Sequence, residues 1–334
     1  MLGNQSEQFL IMKNLIVRFH GPSASPRTTV REEPLTESPA PCEVLIEMIA
    51  AAINPADLNV LEGTYGRPLE PGGIPGNEGF GTVTACGPGV TRIAPGDGVI
   101  VAGQAWRRSG IWREDSVFPV GEHGDPLQLA MLRINPATAW CLLKEVAPPQ
   151  PGAWVIQNAA NSGVGRWISA LANHWNIPLV SLARRLDFDN PSPKELRFVD
   201  KPESVRSIRA AVGDHLVTLA LNAVGGDSSS RLARVLTPNA THVTYGAMSR
   251  QPVTVGNGSL IFSNLTVRGF WVSRWLEETR RERVMALYRE LADLTRRGVG
   301  SVPVAATYPL ERLEEALAHA ARAERGGKVL LTLS

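Results

Sequence analysis

Residues 157–165 have the composition of an anion-binding turn and are the strongest candidate for a ligand site. They read Gln-Asn-Ala-Ala-Asn-Ser-Gly-Val-Gly, after an apolar run at 154–156 and before apolar residues at helical spacing. A strand, a small-residue turn and a helix N-terminus would direct free N–H groups and a helix dipole at a pyrophosphate. Gly163 and Gly165 would let the backbone approach that ligand. An ordinary strand–turn–helix connection is the alternative interpretation.

Two arginines follow the next predicted strand, at 178–183. Dinucleotide-binding folds read the ribose about twenty residues beyond the glycines, where an Asp or Glu would hold the 2′-hydroxyl of NAD. Arg184 and Arg185 stand there instead, and their forked, charged guanidinium groups suit a 2′-phosphate. The pair therefore favours NADPH over NADH, although two solvated surface arginines are the alternative.

Alternating strands and helices are expected to position these residues. From about residue 135 the pattern predicts a doubly wound parallel sheet, whose ligands bind at the carboxyl ends of the strands. Asn222, Tyr245 and Phe270 should therefore lie on the cofactor side. Earlier, short strands with frequent turns predict a β-rich, barrel-like first domain. The predicted strands cover residues 12–19, 43–52, 80–85, 98–102, 154–156, 178–183, 216–221, 240–245, 265–270 and 328–333. The predicted helices cover residues 137–146, 164–175, 203–212, 228–236 (capped by one of its serines), 278–297 and 310–323.

Length and composition exclude several classes of protein. A chain of 334 residues exceeds one ordinary core, so two domains are expected. The net charge of +2 is too small to indicate nucleic acid or a membrane surface as a partner, and neither is expected; no apolar run is long enough to span a bilayer. The three cysteines are widely spaced, which indicates a reducing compartment and no zinc-binding C-x-x-C pair. Residues 1–10 resemble no targeting peptide, so a cytoplasmic protein is expected.

Seven short blocks occur in the order typical of one enzyme family, from about residue 44 to the C-terminus. They are Asn54-Pro-Ala-Asp57, Gly63-Thr-Tyr-Gly66, Gly76-Asn-Glu-Gly79, Asn135-Pro-Ala-Thr138, residues 157–165, Val243-Thr-Tyr-Gly246 and Arg268-Gly-Phe-Trp271. The sequence thereby resembles the 2-enoyl thioester reductases of mitochondrial type, which belong to the zinc-independent medium-chain dehydrogenase/reductases.

That resemblance implies a fold, a reaction and a set of site residues. The fold would combine a GroES-like catalytic domain (1–134 and 273–334) with a Rossmann NADPH-binding domain (135–272). The reaction would be reduction of the carbon–carbon double bond of trans-2-enoyl thioesters of CoA or acyl-carrier protein, in a homodimer that pairs strands near 253–267. The implied catalytic residue is Tyr65, and the implied cofactor residues are Asn135, Asn161, Ser162, Gly163, Val164, Arg184, Arg185, Tyr245, Gly246, Ala247, Met248, Phe270, Trp271, Val272 and Lys328.

Physical reasoning gives Tyr65 a task of its own. Hydride arriving at the β-carbon pushes negative charge onto the thioester oxygen and the α-carbon. A phenol is a neutral donor at neutral pH, so it can hydrogen-bond that enolate or protonate the α-carbon. A loop tyrosine half-buried in packing is the alternative. Phe270 and Trp271 could form an apolar wall for an acyl chain or belong to the core, and Asn54 and Asp57 could orient the site or close a turn.

Two departures from related patterns affect the interpretation. Zinc alcohol dehydrogenases carry Gly-His-Glu where this chain has Asn77 before Glu78, and a cysteine ligand upstream is also missing, so no metal site is expected. Residues 186–195 are rich in proline where a helix is usual, and this loop would border the adenosine end of the cofactor, where NADPH and NADH differ. A quinone or enone reductase and a non-catalytic nucleotide-binding relative are the alternative functions.

Overall fold

The computed structural model describes residues 12–35, 38–121, 123–188 and 191–334, so the expected N-terminal extension lies outside the described residues. The strands are β1 (Met12–Phe19), β2 (Thr28–Leu35), β3 (Glu43–Ile53), β4 (Glu78–Cys86), β5 (Gly98–Ala102), β6 (Ser109–Arg113), β7 (Val117–Pro119), β8 (Trp154–Gln157), β9 (Leu179–Ala183), β10 (Glu195–Val199), β11 (Val217–Asn222), β12 (Thr241–Thr244), β13 (Thr266–Gly269), β14 (Val304–Pro309) and β15 (Lys328–Thr332). The α-helices are α1 (Pro55–Glu62), α2 (Pro126–Leu129), α3 (Asn135–Cys141), α4 (Gly163–His174), α5 (Ser204–Val212), α6 (Gly226–Val235), α7 (Asn257–Ile261), α8 (Val272–Glu278), α9 (Arg281–Arg296) and α10 (Leu313–Ala320).

The chain forms two compact units. The first holds the described residues up to Ile134 together with Arg280–Arg297 and Pro303–Ser334, and the second holds Asn135–Thr279 and Gly298–Val302. The expected division placed the return to the first domain at residue 273. In the structure α8 belongs to the second unit, where Trp275 lies against Trp140 of α3 with ring centroids 6.4 Å apart.

The first unit is a β-rich domain, as the short strands predicted. Its larger sheet has the order β14-β15-β3-β4-β5-β7, with β6 also paired to β3, and β1 and β2 form a separate antiparallel pair. The C-terminal strand returns to this unit, as expected, because β15 pairs antiparallel with β3 in the register Leu331↔Ala51. Its buried core draws on Ile46, Trp106 and Leu331 among others.

The second unit is a doubly wound parallel sheet, which confirms the predicted fold class. Its strand order is β10-β9-β8-β11-β12-β13, and every neighbouring pair is parallel. The chain order reverses direction between β8 and β11, and open sheets of this kind bind ligands at the carboxyl ends of the strands beside such a point.

Some single elements were not predicted, and one differs from its prediction. Residues 55–62 form α1, since Pro55 suits the first helical position and the Asp57 carboxylate accepts a hydrogen bond from the Asn54 backbone N–H at 2.7 Å. No serine caps α6, because the helix begins at Gly226 with Gly225 before it, and the serines lie inside its first two turns. The helix expected at 278–297 is α9, and the short helix α8 just before it was not predicted.

One crossover in the parallel sheet has no helix. β9 ends at Ala183, β10 begins at Glu195, and the described residues between them, which exclude 189 and 190, contain none. Parallel neighbours are usually joined through a helix that covers one face of the sheet. The proline-rich composition predicted the missing helix, but β10 itself was not predicted.

Gly165 fixes how closely the first turn of α4 packs on the residues after β8. A β-carbon at this position would lie 2.5 Å from the Ala159 carbonyl oxygen and 2.7 Å from the Ala160 α-carbon. Both neighbours are backbone atoms, so relief would require a shift of the turn itself. Only glycine therefore permits this approach.

Substitution Gly165→Ala is expected to lower the free energy of unfolding by about 1–3 kcal/mol, the usual range for overpacking. Urea denaturation of the two proteins measures this difference. Gly256→Ala is the matched control, because Gly256 has φ −67° and open space around its α-carbon. Equal losses in both variants would contradict the steric explanation.

Candidate active site

The turn after β8 leads directly into the N-terminus of α4. Ser162 caps the helix, since its Oγ accepts a hydrogen bond from the Gly165 N–H at 3.1 Å. Gly163 and Val164 are the first helical residues, and Asn161 is exposed beside them. The twelve-residue helix thus directs its dipole and its remaining free N–H groups at this turn, which is the arrangement that binds phosphate groups.

Buried amides join the carboxyl ends of three neighbouring strands. Asn158, directly after β8, donates its Nδ2 to Asn222 Oδ1 at 2.8 Å and accepts from the Ala223 N–H at 2.7 Å. Asn222 donates in turn to Thr244 Oγ1 at 3.1 Å. Both asparagines are fully buried. This amide ladder holds the ligand-facing edge of the sheet rigid, and sequence reasoning missed Asn158 because its partner lies 64 residues away.

The ends of β12 and β13 complete the cofactor edge of the second unit. The Tyr245 hydroxyl is buried and has no hydrogen-bond partner among the residues that the structure describes, and burial raises its pKa. Gly246 follows, where a β-carbon would lie 2.9 Å from the Ala223 carbonyl oxygen. Ala247 and Met248 are exposed. Gly246 therefore allows the backbone after β12 to pack closely against the residue that follows β11.

The remaining predicted cofactor residues of the second unit lie near strand or helix ends. Arg184 and Arg185 are exposed directly after β9, and Arg185 Nε is 3.7 Å from Asp187 Oδ1. Asn135 is buried at the start of α3. Phe270 and Trp271 separate β13 from α8, and the buried Val272 begins that helix. The capped helix, the glycines at 163, 165 and 246, the orphan hydroxyl and the two arginines together fit a phosphorylated dinucleotide.

Tyr65 lies in the first unit, three residues beyond α1. The helix ends at Gly63 in the left-handed conformation (φ +73°), and the Thr64 N–H donates to the Asn59 carbonyl oxygen at 2.9 Å. The Tyr65 side chain is half-buried. Its position is therefore set by the C-terminus of α1, whose own N-terminus is tied into the core as described next.

A buried polar cluster surrounds the N-terminus of α1 within the first unit. Lys328, at the start of β15, donates its ammonium to Asn54 Oδ1. Asn54 Nδ2 donates to Glu78 Oε1 at 2.7 Å, and Glu78 Oε2 accepts from the Ile134 N–H at 2.8 Å. Asp57 Oδ1 accepts both the backbone N–H and the side-chain amide of Asn77, at 3.0 and 2.7 Å. We call Asn54, Asp57, Asn77, Glu78 and Lys328 the α1 cluster.

Burial shifts the titration of the α1 cluster strongly. Loss of hydration raises the pKa of the Asp57 carboxyl to about 6 and that of the Glu78 carboxyl to about 7. The same desolvation lowers the pKa of the Lys328 ammonium to about 8. The positive charge of Lys328 and the hydrogen bonds from Asn54 and Ile134 oppose the shift of Glu78. The cluster thus contains charges that are stable only while they remain paired.

The α1 cluster assigns positions to residues whose tasks the sequence left open. Asn54 is the N-cap of α1 and Asp57 lies in its first turn. Both side chains are hydrogen-bonded within the α1 cluster, so neither residue simply closes a turn. Lys328, an implied cofactor residue, is buried among the first unit's carboxylates, and its contact with a dinucleotide stays a prediction. Asn77 directs its amide to Asp57. Within the described ranges no group of three His, Cys, Asp or Glu side chains could hold a metal ion.

Glu78→Gln is expected to change how stability depends on pH. The folded state holds the Glu78 proton up to about pH 7, whereas the usual value is 4.5, so the folded state binds more protons between these values. The contribution of Glu78 to the unfolding free energy is therefore present below about pH 4.5 and is lost as pH rises towards 7. Between pH 5 and 7 the unfolding free energy of the variant should therefore fall by about 1–3 kcal/mol less than that of the wild type.

Urea denaturation at pH 5, 6 and 7 measures this difference. The exposed Glu70 supplies the control substitution Glu70→Gln, which should follow the wild-type curve. Identical pH dependence of the wild type and Glu78→Gln would show that the Glu78 carboxyl does not titrate in this range.

Known protein families match sequence in both structural units. Family models match at two places: the alcohol dehydrogenase GroES-like domain at residues 40–116, and the zinc-binding dehydrogenase at residues 197–331. The mitochondrial enoyl-[acyl-carrier-protein] reductase of Dictyostelium discoideum is 34% identical over 333 residues, which cover 96% of this chain and 95% of that protein.

Solved structures show the same similarity. The complex of Etr1p with NADP and crotonyl-CoA is 25% identical, with a TM-score of 0.83 over 96% of this chain and 99% of the other. The Etr1p/Etr2p heterodimer of Candida tropicalis, a mitochondrial 2-enoyl thioester reductase, is 24% identical with a TM-score of 0.83, covering 96% and 100% of the two chains. At this lower identity the heterodimer supports the fold alone.

Proposed function

The chain belongs to the enoyl thioester reductases of mitochondrial type, and on that premise we propose that it reduces the carbon–carbon double bond of trans-2-enoyl thioesters with NADPH. The acyl carrier would be CoA or acyl-carrier protein. The observation that carries the proposal is the similarity over 96% of the chain, combined with a half-buried Tyr65 directly after α1. The dinucleotide would be held by the turn at 161–164, the arginines after β9 and the residues after β12.

The chain's own residues would act on charge and position. NADPH, when bound, supplies the hydride that the β-carbon receives. The Tyr65 phenol donates a hydrogen bond to the thioester oxygen, or its proton to the α-carbon, as negative charge develops there. The Ser162-capped helix orients the pyrophosphate through backbone N–H groups. Asn158 and Asn222 fix the strand ends, so that these donors need not reorganise during the reaction.

Tyr65→Phe is expected to lower kcat for trans-2-enoyl-CoA reduction about a hundredfold or more, the usual scale for a general acid. The affinity for NADPH should stay unchanged, because the phenol acts on the substrate. NADPH oxidation followed with esters of several chain lengths, together with NADPH binding by fluorescence, measures both quantities.

Tyr308→Phe is the matched control, since Tyr308 is a half-buried phenol that hydrogen-bonds His319 Nδ1 at 3.0 Å. Turnover insensitive to Tyr65→Phe would keep the reaction class and remove Tyr65 from it. Activity with quinones but with no enoyl thioester would favour the quinone reductase alternative. NADPH binding without turnover of either would favour a non-catalytic relative.

We also propose a homodimer, formed by edge-to-edge pairing of the second unit's sheet. β13 is an edge strand: it pairs with β12 on one side, and no other strand of the described chain pairs with it. All four of its residues are exposed. Exposed apolar side chains lie in this strand or in the segment that precedes it along the chain, and we call them the β13 patch: Val253, Leu260, Ile261, Phe262 and Val267. Unpaired strand edges and apolar patches of this kind favour self-association.

The substitution Phe262→Asp should convert a dimer into a monomer, because Phe262 is 86% exposed in the isolated chain and a carboxylate would have to be desolvated in the interface. Light scattering coupled to gel filtration measures the mass. Leu216→Asp is the control, since Leu216 is 52% exposed and lies outside the β13 patch. A dimer that survives Phe262→Asp, or a wild type that is monomeric, would contradict the proposal.

The cellular location remains the prediction made from sequence, a reducing compartment such as the cytoplasm. Its support is that Cys42, Cys86 and Cys141 are all free thiols. No helix in the described part of the chain is long and apolar enough to cross a membrane. Fluorescence microscopy of the tagged protein distinguishes a cytoplasmic location from an organellar one.

A further inference from the structure

The segment that replaces the crossover helix places an aromatic ring between two arginines. Phe188, in the connection from β9 to β10, lies with its ring centroid 4.4 Å from the Arg197 guanidinium carbon and 5.5 Å from that of Arg166. Arg197 belongs to β10, whereas Arg166 lies in the first turn of α4. The ring therefore links the helix of the phosphate-binding turn to the strand that follows Arg184 and Arg185.

Arg197 is committed to the structure. Its Nη2 is 2.9 Å from Glu195 Oε2, and its Nη1 donates to the Phe188 carbonyl oxygen at 2.7 Å. Glu195 accepts further hydrogen bonds from the hydroxyls of Ser181 and Ser169, at 2.6 and 2.9 Å. The side chains of Arg197 and Glu195 are only 9% and 1% exposed. This buried ion pair anchors the Phe188 segment on the sheet and leaves little of the Arg197 charge for a ligand.

Arg166 is placed differently, at the surface of the candidate cofactor site. Its Nε donates to the carbonyl oxygen of Asn161, a residue of the phosphate-binding turn, at 3.2 Å. The side chain is half-buried, and both burial and the charge of Arg197 lower the pKa of its guanidinium.

The position of Arg166 relative to Arg184 and Arg185 follows from the sheet. β8 and β9 are hydrogen-bonded parallel neighbours in the register Gln157↔Ser181. The first turn of α4 therefore begins at the same sheet edge at which Arg184 and Arg185 emerge, with strand axes only about 4.8 Å apart. The Arg166 guanidinium contacts the ring of Phe188, which lies in the segment that follows these two arginines.

We propose that Arg166, held in place by Phe188, binds the 2′-phosphate of NADPH together with Arg184 and Arg185, and so determines the preference for NADPH over NADH. This inference rests on the proposed function, because it assumes a dinucleotide in that site. A forked guanidinium in a fixed orientation suits a phosphate better than a mobile surface arginine does. Phe188 is a positioning residue in this arrangement, and Arg166 is the specificity-determining one.

The experiment measures dissociation constants of NADPH and NADH, in the absence of substrate, for the wild type, Arg166→Gln and Arg166→Lys. Loss of a charge-assisted contact should weaken NADPH binding about 10- to 100-fold in Arg166→Gln and leave NADH binding unchanged. Arg166→Lys should retain part of the preference. The fragments 2′,5′-ADP and 5′-AMP should show the same contrast. Arg206→Gln, at an exposed arginine of α5, is the control.

Phe188→Leu and the double variant test the positioning. Phe188→Leu should weaken NADPH binding less than Arg166→Gln does, and Arg166→Gln/Phe188→Leu should bind no more weakly than Arg166→Gln alone, because the two residues act as one unit. Circular dichroism melting establishes that each variant is folded.

Each outcome decides the inference. Equal weakening of NADPH and NADH in Arg166→Gln would mean a general effect on the turn and would overturn it, as would unchanged NADPH binding. Selective loss of NADPH binding in a protein that reduces no enoyl thioester would support the Arg166 assignment while the proposed reaction fails. A wild type that binds neither dinucleotide would overturn both.

Discussion

A charged amine in the interior of the first unit constrains much of that unit. Lys328 is 4% exposed, and its charge is stabilised there by the Glu78 and Asp57 carboxyl groups and by a hydrogen bond that it donates to Asn54 Oδ1. Desolvation of isolated charges costs several kcal/mol per ion, so the cluster is stable only as a set. Because Lys328 begins the last strand, the cluster also ties the end of the chain to the N-terminus of α1.

The position of Tyr65 depends on the α1 cluster, although Tyr65 is not one of its members. The α1 cluster fixes one end of a helix of only two turns, and the tyrosine emerges just beyond the other end. A catalytic phenol must be held within a fraction of an ångström of its working position, and a helix anchored by buried hydrogen bonds provides that precision. The cluster thereby connects burial energetics in the core to the position of the candidate acid.

The second unit uses buried polar groups in a similar way at its ligand-facing edge. Asn158 and Asn222 hydrogen-bond to each other and accept hydrogen bonds from nearby backbone N–H groups. These bonds hold the ends of the strands rigid. On β10, the strand that is reached without a crossover helix, Glu195 and Arg197 form an ion pair, and the ring of Phe188 packs over the Arg197 guanidinium. A buried ion pair contributes little net stability, but it fixes geometry, and here it holds Phe188, whose ring centroid lies 5.5 Å from the Arg166 guanidinium carbon.

The sequence by itself determined the elements whose signals are local. The turn at 157–165, the parallel alternation and the loss of a helix after Arg185 follow from residue periodicity and from glycine and proline, which act over a few residues. The short elements α1 and β10 were not predicted. They have too few residues for periodicity to show, and they depend on tertiary contacts. The prediction that a serine caps α6 was wrong, because Gly225 and Gly226 form the N-terminus of that helix.

Only the tertiary structure decided which distant polar residues meet. Lys328 and Asn54 are 274 residues apart, and Asn158 and Ser228 are 70 apart. Nothing in the local sequence of either partner specifies the other, since an asparagine or lysine reads as a solvated residue until the fold removes its water. Desolvation then makes each group require a partner, and the sheet topology supplies it.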